Sequence, residues 1–156
     1  MPAVKPIPDG YHAVTPYLII GNGRAGEALD FYSRAFNAKE RFRMPRPDGG
    51  VAHAEIQLGD SIVMLADEAP KMEAYGPQHY GGSPISLHFY VPDVDATTKQ
   101  AEASGATVIR PVADQFYGDR TSGLQDPFGY RWYLATHVRD VSMDELQQHM
   151  NATATA

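Results

Sequence analysis

His53, Glu55 and Gln57 alternate with Ala54, Ile56 and Leu58. On a strand that spacing puts an imidazole, a carboxylate and an amide on one face. Two readings follow: the solvated side of a half-buried antiparallel strand, or a pocket wall carrying a His/Glu pair for acid–base work. His88 reads either as an imidazole packed among Phe89, Tyr90 and Tyr17 or as a ligand contact or general base near neutral pH. Asp119 and Arg120 are adjacent, which reads as a surface pair or as an arginine clamp for a carboxylate or phosphate. His137 reads as a cap or dimer contact. The catalytic candidates are His88, His53 and Glu55, with no one of them fixed as a catalyst. With zero cysteines, thiolate catalysis, thiolate metal sites and disulfides are excluded.

These residues need elements to hold them. Tyr11 to Ile20 (YHAVTPYLII) predicts a strand whose Pro16 favours an edge or bulge. Ala25, Leu29, Tyr32 and Phe36 recur with helical spacing, and Asn37 stops that helix. Lys39 to Met44, Val51 to Leu58 and Ser61 to Ala66 follow as strands, the last two joined at Gly59-Asp60. A second set begins with Ile85 to Val91. It continues with a helix from the N-cap Asp93 to Ser104, stopped by Gly105, and a strand at Thr107 to Val112. A hairpin of Asp119 to Gln125 and Tyr130 to Ala135 turns at Asp126-Pro127-Phe128-Gly129, where Asp, Pro and Gly suit a type I turn.

The chain therefore reads as a duplicated β-α-β-β-β unit, α+β in class. Residues 1–11 form an extended arm, 12–66 the first unit, 67–84 a connection, 85–138 the second unit, and 139–156 a short helix and frayed tail. That helix starts with the capping-box pair Ser142 and Glu145 and runs to about Met150, with Met143, Leu146 and Met150 as its apolar stripe. The connection is a surface linker or the lid of a pocket. In the repeat, Thr15, Tyr17 and Ile19 match Ser86, His88 and Tyr90, each trio on one face, and Met64 matches Tyr133.

Composition bounds the function. The 156 residues include 43% apolar and 21% charged, ordinary for a soluble globular protein. A net charge of −6 with no basic run argues against nucleic acid. No apolar run suits a membrane span or signal peptide, so no membrane partner is expected and a cytoplasmic location is the default.

The paired units, the helix ALDFYSRAFNA, the segment VAHAEIQLGDSIVML and the hairpin GDRTSGLQDPFGYRWYLATH resemble the vicinal oxygen chelate superfamily. This is the glyoxalase/bleomycin-resistance fold, and the likeness is to its PhnB-like branch over roughly residues 12 to 140. The resemblance implies curved mixed sheets around a shared concave cavity, a homodimer, and Tyr133 facing the cavity with Trp132 in the core. Metal-dependent members hold a divalent ion with one His, Gln or Glu from each of four strands. Those positions fall here on Thr15, Met64, Ser86 and Tyr133, none a usual ligand for zinc or a hard cation. No metal and no cofactor is therefore expected. The implied ligand-binding set is Thr15, Tyr17, Met64, Ser86, His88, Tyr90, Arg120 and Tyr133, aromatic and sparsely polar, fit for a flat or hydrophobic small molecule. The expected function is metal-independent binding of such a molecule. The alternatives are a lyase, isomerase or dioxygenase using a metal or acid–base chemistry, and a dimeric interaction domain with a vestigial cavity.

Overall fold

The computed structural model describes residues 4–154 in two units, one ending at Pro84 and the other starting at Ile85. The first three residues of the expected arm and the last two of the expected tail lie outside the described residues.

The first unit runs β1 (Tyr17–Ile20), α1 (Ala25–Phe36), β2 (Lys39–Pro45), β3 (Val51–Leu58) and β4 (Ser61–Asp67). Its sheet has the order β1-β4-β3-β2, with β1 parallel to β4 and the other pairs antiparallel. β1 starts six residues later than the sequence predicts. Pro16 has no N–H for a ladder, although its carbonyl still accepts from the Met64 amide at 2.9 Å. The edge position that Pro16 favours is the one β1 takes.

α1 buries Leu29, Phe31, Tyr32 and Phe36 over the face of the sheet that carries Leu18, Ile20, Ala54, Ile56 and Leu65. Each large apolar side chain so buried stabilises the fold by about 1.5–3 kcal/mol. The Asp67 carboxylate, at the end of β4, accepts from the Ala25 amide at 2.8 Å and the Val51 amide at 2.7 Å. It thereby satisfies a free donor of the α1 N-terminus and ties it to the sheet.

The connection is held at close range. It forms short 3-10 turns at Pro70–Met72 and Pro77–Tyr80. The Glu68 carboxylate accepts from the Gly76 amide at 2.8 Å, and the Tyr75 and His79 rings stack at 3.9 Å.

The second unit repeats the order: β5 (Ser86–Tyr90), α2 (Val94–Ser104), β6 (Thr107–Asp114), β7 (Asp119–Gln125) and β8 (Arg131–His137), then α3 (Met143–Ala154). Its sheet is ordered β5-β8-β7-β6, again with one parallel pair, β5 with β8. Asp93 caps α2 by accepting from the Ala96 amide at 2.9 Å. In the β7–β8 turn the Asp126 carboxylate accepts from the amides of Phe128 and Tyr130 and from Trp132 Nε1, each at 2.9 Å. The Trp132 side chain is 1% exposed, which places it in the core.

α3 opens with the reciprocal bonds of a capping box, Glu145 amide to Ser142 Oγ at 3.2 Å and Ser142 amide to Glu145 Oε2 at 3.0 Å. It runs to Ala154, so the expected stop at about Met150 is corrected. Gln147 donates to Asn151 at 2.9 Å and Thr153 donates to the His149 carbonyl at 3.0 Å, so local side-chain bonds carry the last turn. The architecture is α+β, two four-stranded mixed sheets with three helices. Among the described residues no helix is long and apolar enough to cross a membrane.

Candidate functional site

The face of the first sheet turned away from α1 carries the chemistry. Strand register lines up Tyr17, Met64, Glu55 and Phe42 across β1, β4, β3 and β2. His53 lies two residues along β3 on the same face, opposite Met44. Tyr17 Oη is 2.8 Å from His53 Nδ1, and His53 Nε2 is 3.4 Å from Glu55 Oε1. The Tyr11 hydroxyl donates to the other Glu55 oxygen, and Arg41 Nη1 stands 4.0 Å from it. Four side chains thus form one hydrogen-bonded row: Tyr17, His53, Glu55, Tyr11.

The electrostatics orient that row. Burial pushes the Glu55 carboxyl up, but hydrogen bonds from Tyr11 and His53 and the charge of Arg41 outweigh it and leave it below the ordinary carboxylate value. An ionised carboxylate only accepts, so His53 Nε2–H donates to it and Nδ1 is left to accept. Desolvation pushes the Tyr17 phenol above its ordinary value, with the Arg46 charge opposing. Tyr17 is therefore the donor to His53 Nδ1.

Tyr17 is 46% exposed and also lines an open cavity of about 880 Å³ within the first unit. Ile19, Ala52, Ala66, Ala69, Met72 and Ala74 give that cavity apolar walls, and Arg46, Asp48, Glu68 and Lys71 give it polar ones. Arg46 is fixed in place, donating to the Asp67 carbonyl at 2.7 Å and the Glu68 carbonyl at 2.9 Å. Met72 and Ala74 belong to the connection, so this segment walls the cavity.

The second unit carries the matching row His88, Tyr133, Gly123 and Arg110 across β5, β8, β7 and β6. His88 and Tyr90 meet edge-on at 4.9 Å, and the Arg110 guanidinium sits 5.3 Å from the centre of the Tyr133 ring. Ser86, His88 and Tyr90 are exposed. Arg120 has its fork engaged: Nε and Nη2 donate to Asp95 at 2.7 and 2.9 Å, and Nη1 donates to Asp114 at 2.9 Å. Asp119 is buried, accepting from Tyr90 Oη at 3.0 Å and pairing with His137 Nδ1 at 2.7 Å.

The four positions that the family resemblance assigns to metal ligands offer poor donors. The Thr15 hydroxyl, ahead of β1, donates to the His12 carbonyl at 3.4 Å. Met64 presents a thioether, Ser86 an exposed hydroxyl and Tyr133 a phenol beneath Arg110. That set does not fit a divalent cation. Among the described residues no group of three or more His, Asp or Glu is arranged to hold a metal ion.

Sequence reasoning picked Tyr17, His53, Glu55 and Met64 for this face, and the connection holding Met72 as a possible pocket lid, but missed Tyr11, Arg41 and Arg46. Tyr11 reaches Glu55 across 44 positions of chain, a pairing that no local pattern announces. Arg46 lies in a stretch where side-chain direction has no period to read.

Residues 14–134 match the family model described as the Glyoxalase/Bleomycin resistance protein/Dioxygenase superfamily. Uncharacterized proteins from Mycobacterium bovis and Mycobacterium tuberculosis are each 41% identical over 143 residues, 90% of this chain and 93% or 83% of theirs. Among solved structures, TioX from Micromonospora sp. ML1 is similar with a TM-score of 0.62 at 23% identity, over 81% of this chain and 100% of that one. A PhnB protein from Bacillus cereus has a TM-score of 0.61 at 20% identity, over 80% and 99%. These structural likenesses concern the fold.

Proposed function

The chain belongs to the Glyoxalase/Bleomycin resistance protein/Dioxygenase superfamily, and from that premise we propose that it binds a small, flat, largely apolar molecule without a metal ion. The observation that carries this reading is the cavity of about 880 Å³ walled by Tyr17, Ile19, Ala52, Ala66 and Met72. Its volume falls in the range of small-molecule sites, about 300–1,000 Å³, and apolar walls with a few placed polar groups are their usual character. Tyr17 supplies a ring for stacking and a hydroxyl for orientation. Arg46, pinned by two backbone carbonyls, holds its charge at the margin without rearranging.

The test is titration with 1-aminoanthracene, a neutral planar fluorophore. Saturable one-to-one binding that raises the melting temperature is expected, weakened about fivefold by Tyr17→Ala through loss of an aromatic contact of about 1 kcal/mol. Unchanged affinity in that variant, or no saturable binding in the parent protein, sinks the reading. The row Tyr17, His53, Glu55 favours a second one, an acid–base enzyme in the same cavity. Turnover of a bound compound that EDTA leaves intact and His53→Gln abolishes would choose it.

A further inference from the structure

We propose that the cavity of the first unit is a proton-coupled site: it takes a planar molecule bearing an acidic hydroxyl, a phenol or an enol, and draws that hydroxyl's proton into the row Tyr17, His53, Glu55. The inference rests on the binding reading above and names the ligand class and what happens to it.

The geometry supplies the reason. Tyr17 is the member of the row that lines the cavity, His53 is half-buried behind it, and Glu55 is 8% exposed. Solvent contact falls along the row, from Tyr17 at 46% exposed through half-buried His53 to Glu55. A plain apolar wall would not place an imidazole and a buried carboxylate in series behind its one phenol. The groups facing His53 are Tyr17 from β1, the uncharged Phe42 ring from β2 at 6.1 Å, and Glu55 along β3. Glu55 in turn faces Tyr11 and Arg41. The one anion in contact with the imidazole is thus Glu55, placed to hold an imidazolium once it forms.

The transfer balances. The ligand O–H bond breaks, and its proton bonds to the Tyr17 oxygen as the Tyr17 proton moves to His53 Nδ1. His53 becomes an imidazolium whose Nε2–H still donates to the Glu55 carboxylate. The electron pair stays on the ligand oxygen, an anion facing the hydroxyl of Tyr17 in a cavity whose wall carries the cations Arg46 and Lys71 and the carboxylates Asp48, Asp67 and Glu68. A molecule of similar shape without the hydroxyl leaves Tyr17 with nothing to donate to or accept from in the cavity, and it loses that bond.

The experiment uses the full chain with 4-nitrophenol, whose phenolate is coloured, and nitrobenzene, which lacks the hydroxyl. Below the pKa of free 4-nitrophenol, the bound probe is expected to be more ionised than the free one. Affinity should exceed that for nitrobenzene by about tenfold, the share of one well-made hydrogen bond. His53→Gln should still bind 4-nitrophenol, and Tyr17→Phe should bind it about tenfold more weakly for want of the hydroxyl, and at saturation each should leave its ionised fraction at the free value. Circular dichroism checks that each variant is folded. Equal ionisation in the parent protein and both folded variants overturns the proton coupling. Nitrobenzene binding as tightly as 4-nitrophenol overturns the ligand class while the cavity reading stands. Failure of 4-nitrophenol, nitrobenzene and 1-aminoanthracene alike overturns the proton coupling and the binding reading together.

Discussion

At the scale of single residues, the two histidines with carboxylate partners are wired differently. His53 touches its Glu55 at 3.4 Å and keeps one nitrogen for Tyr17, whereas His137 is held on both sides, by Asp119 at 2.7 Å and Asp140 at 3.0 Å. The bond to Asp119, then that to Asp140, raises the His137 pKa above its ordinary value. Raised in the folded state, that group stabilises the fold fully below about pH 6.5, its unfolded value, and the contribution fades as pH rises through the higher native value. Melting temperatures of the parent protein and His137→Gln should therefore differ most on the acid side of neutrality and converge at alkaline pH. A gap that stays constant across the range would show that His137 acts by packing alone.

At the scale of elements, the strand periods told faces well and told ends poorly. The alternation of His53, Glu55 and Gln57 against Ala54, Ile56 and Leu58 separates the polar face of β3 from the core, where Ala54 and Ile56 are buried. The start of β1 was not legible, because what decides it is whether Pro16 can join a ladder with β4, a partner about fifty residues away. Nor was the connection, which has no period and is fixed by close contact. A Cβ on Gly76 would lie 2.7 Å from the Gly21 backbone nitrogen and 3.0 Å from the Ile19 carbonyl oxygen. Backbone atoms cannot swing aside, so Gly76→Ala should cost about 1–3 kcal/mol as an overpacked site does. Since Met72 and Ala74 wall the cavity, the variant should also lose 1-aminoanthracene binding and gain protease cleavage between residues 67 and 84. Parent-like binding and cleavage would mean that this close approach has no bearing on the cavity wall.

At the scale of the whole molecule, the fold is that of a superfamily whose metal-dependent members carry ligands on four strands, and the positions that the resemblance assigns to them here lack the usual donors. Thr15, Met64, Ser86 and Tyr133 give two aliphatic hydroxyls, a thioether and a phenol. Protein purified without an affinity tag should contain less than stoichiometric metal by mass spectrometry, and its melting curve should not move with EDTA. Near-stoichiometric metal with an EDTA-lowered melt would overturn that expectation. The duplicated layout was readable from the sequence because each copy repeats its apolar periods and its turn. The row Tyr17, His53, Glu55, Tyr11 was not readable whole, because it joins the segment ahead of β1 to β3.

Gly123 marks a position where the two units differ in kind. In the register of β7 it stands where β3 has Glu55, and the Arg110–Tyr133 stack lies across the space a side chain would fill. A Cβ there would meet Arg110 Cβ and Tyr133 Cε1 at 3.1 Å each. A side chain at this position would need Arg110 and Tyr133 to give by a few tenths of an ångström. The two halves thus differ at one register position: the first sets Glu55 in a hydrogen-bonded row with His53 and Tyr17, and the second sets an arginine against an aromatic ring.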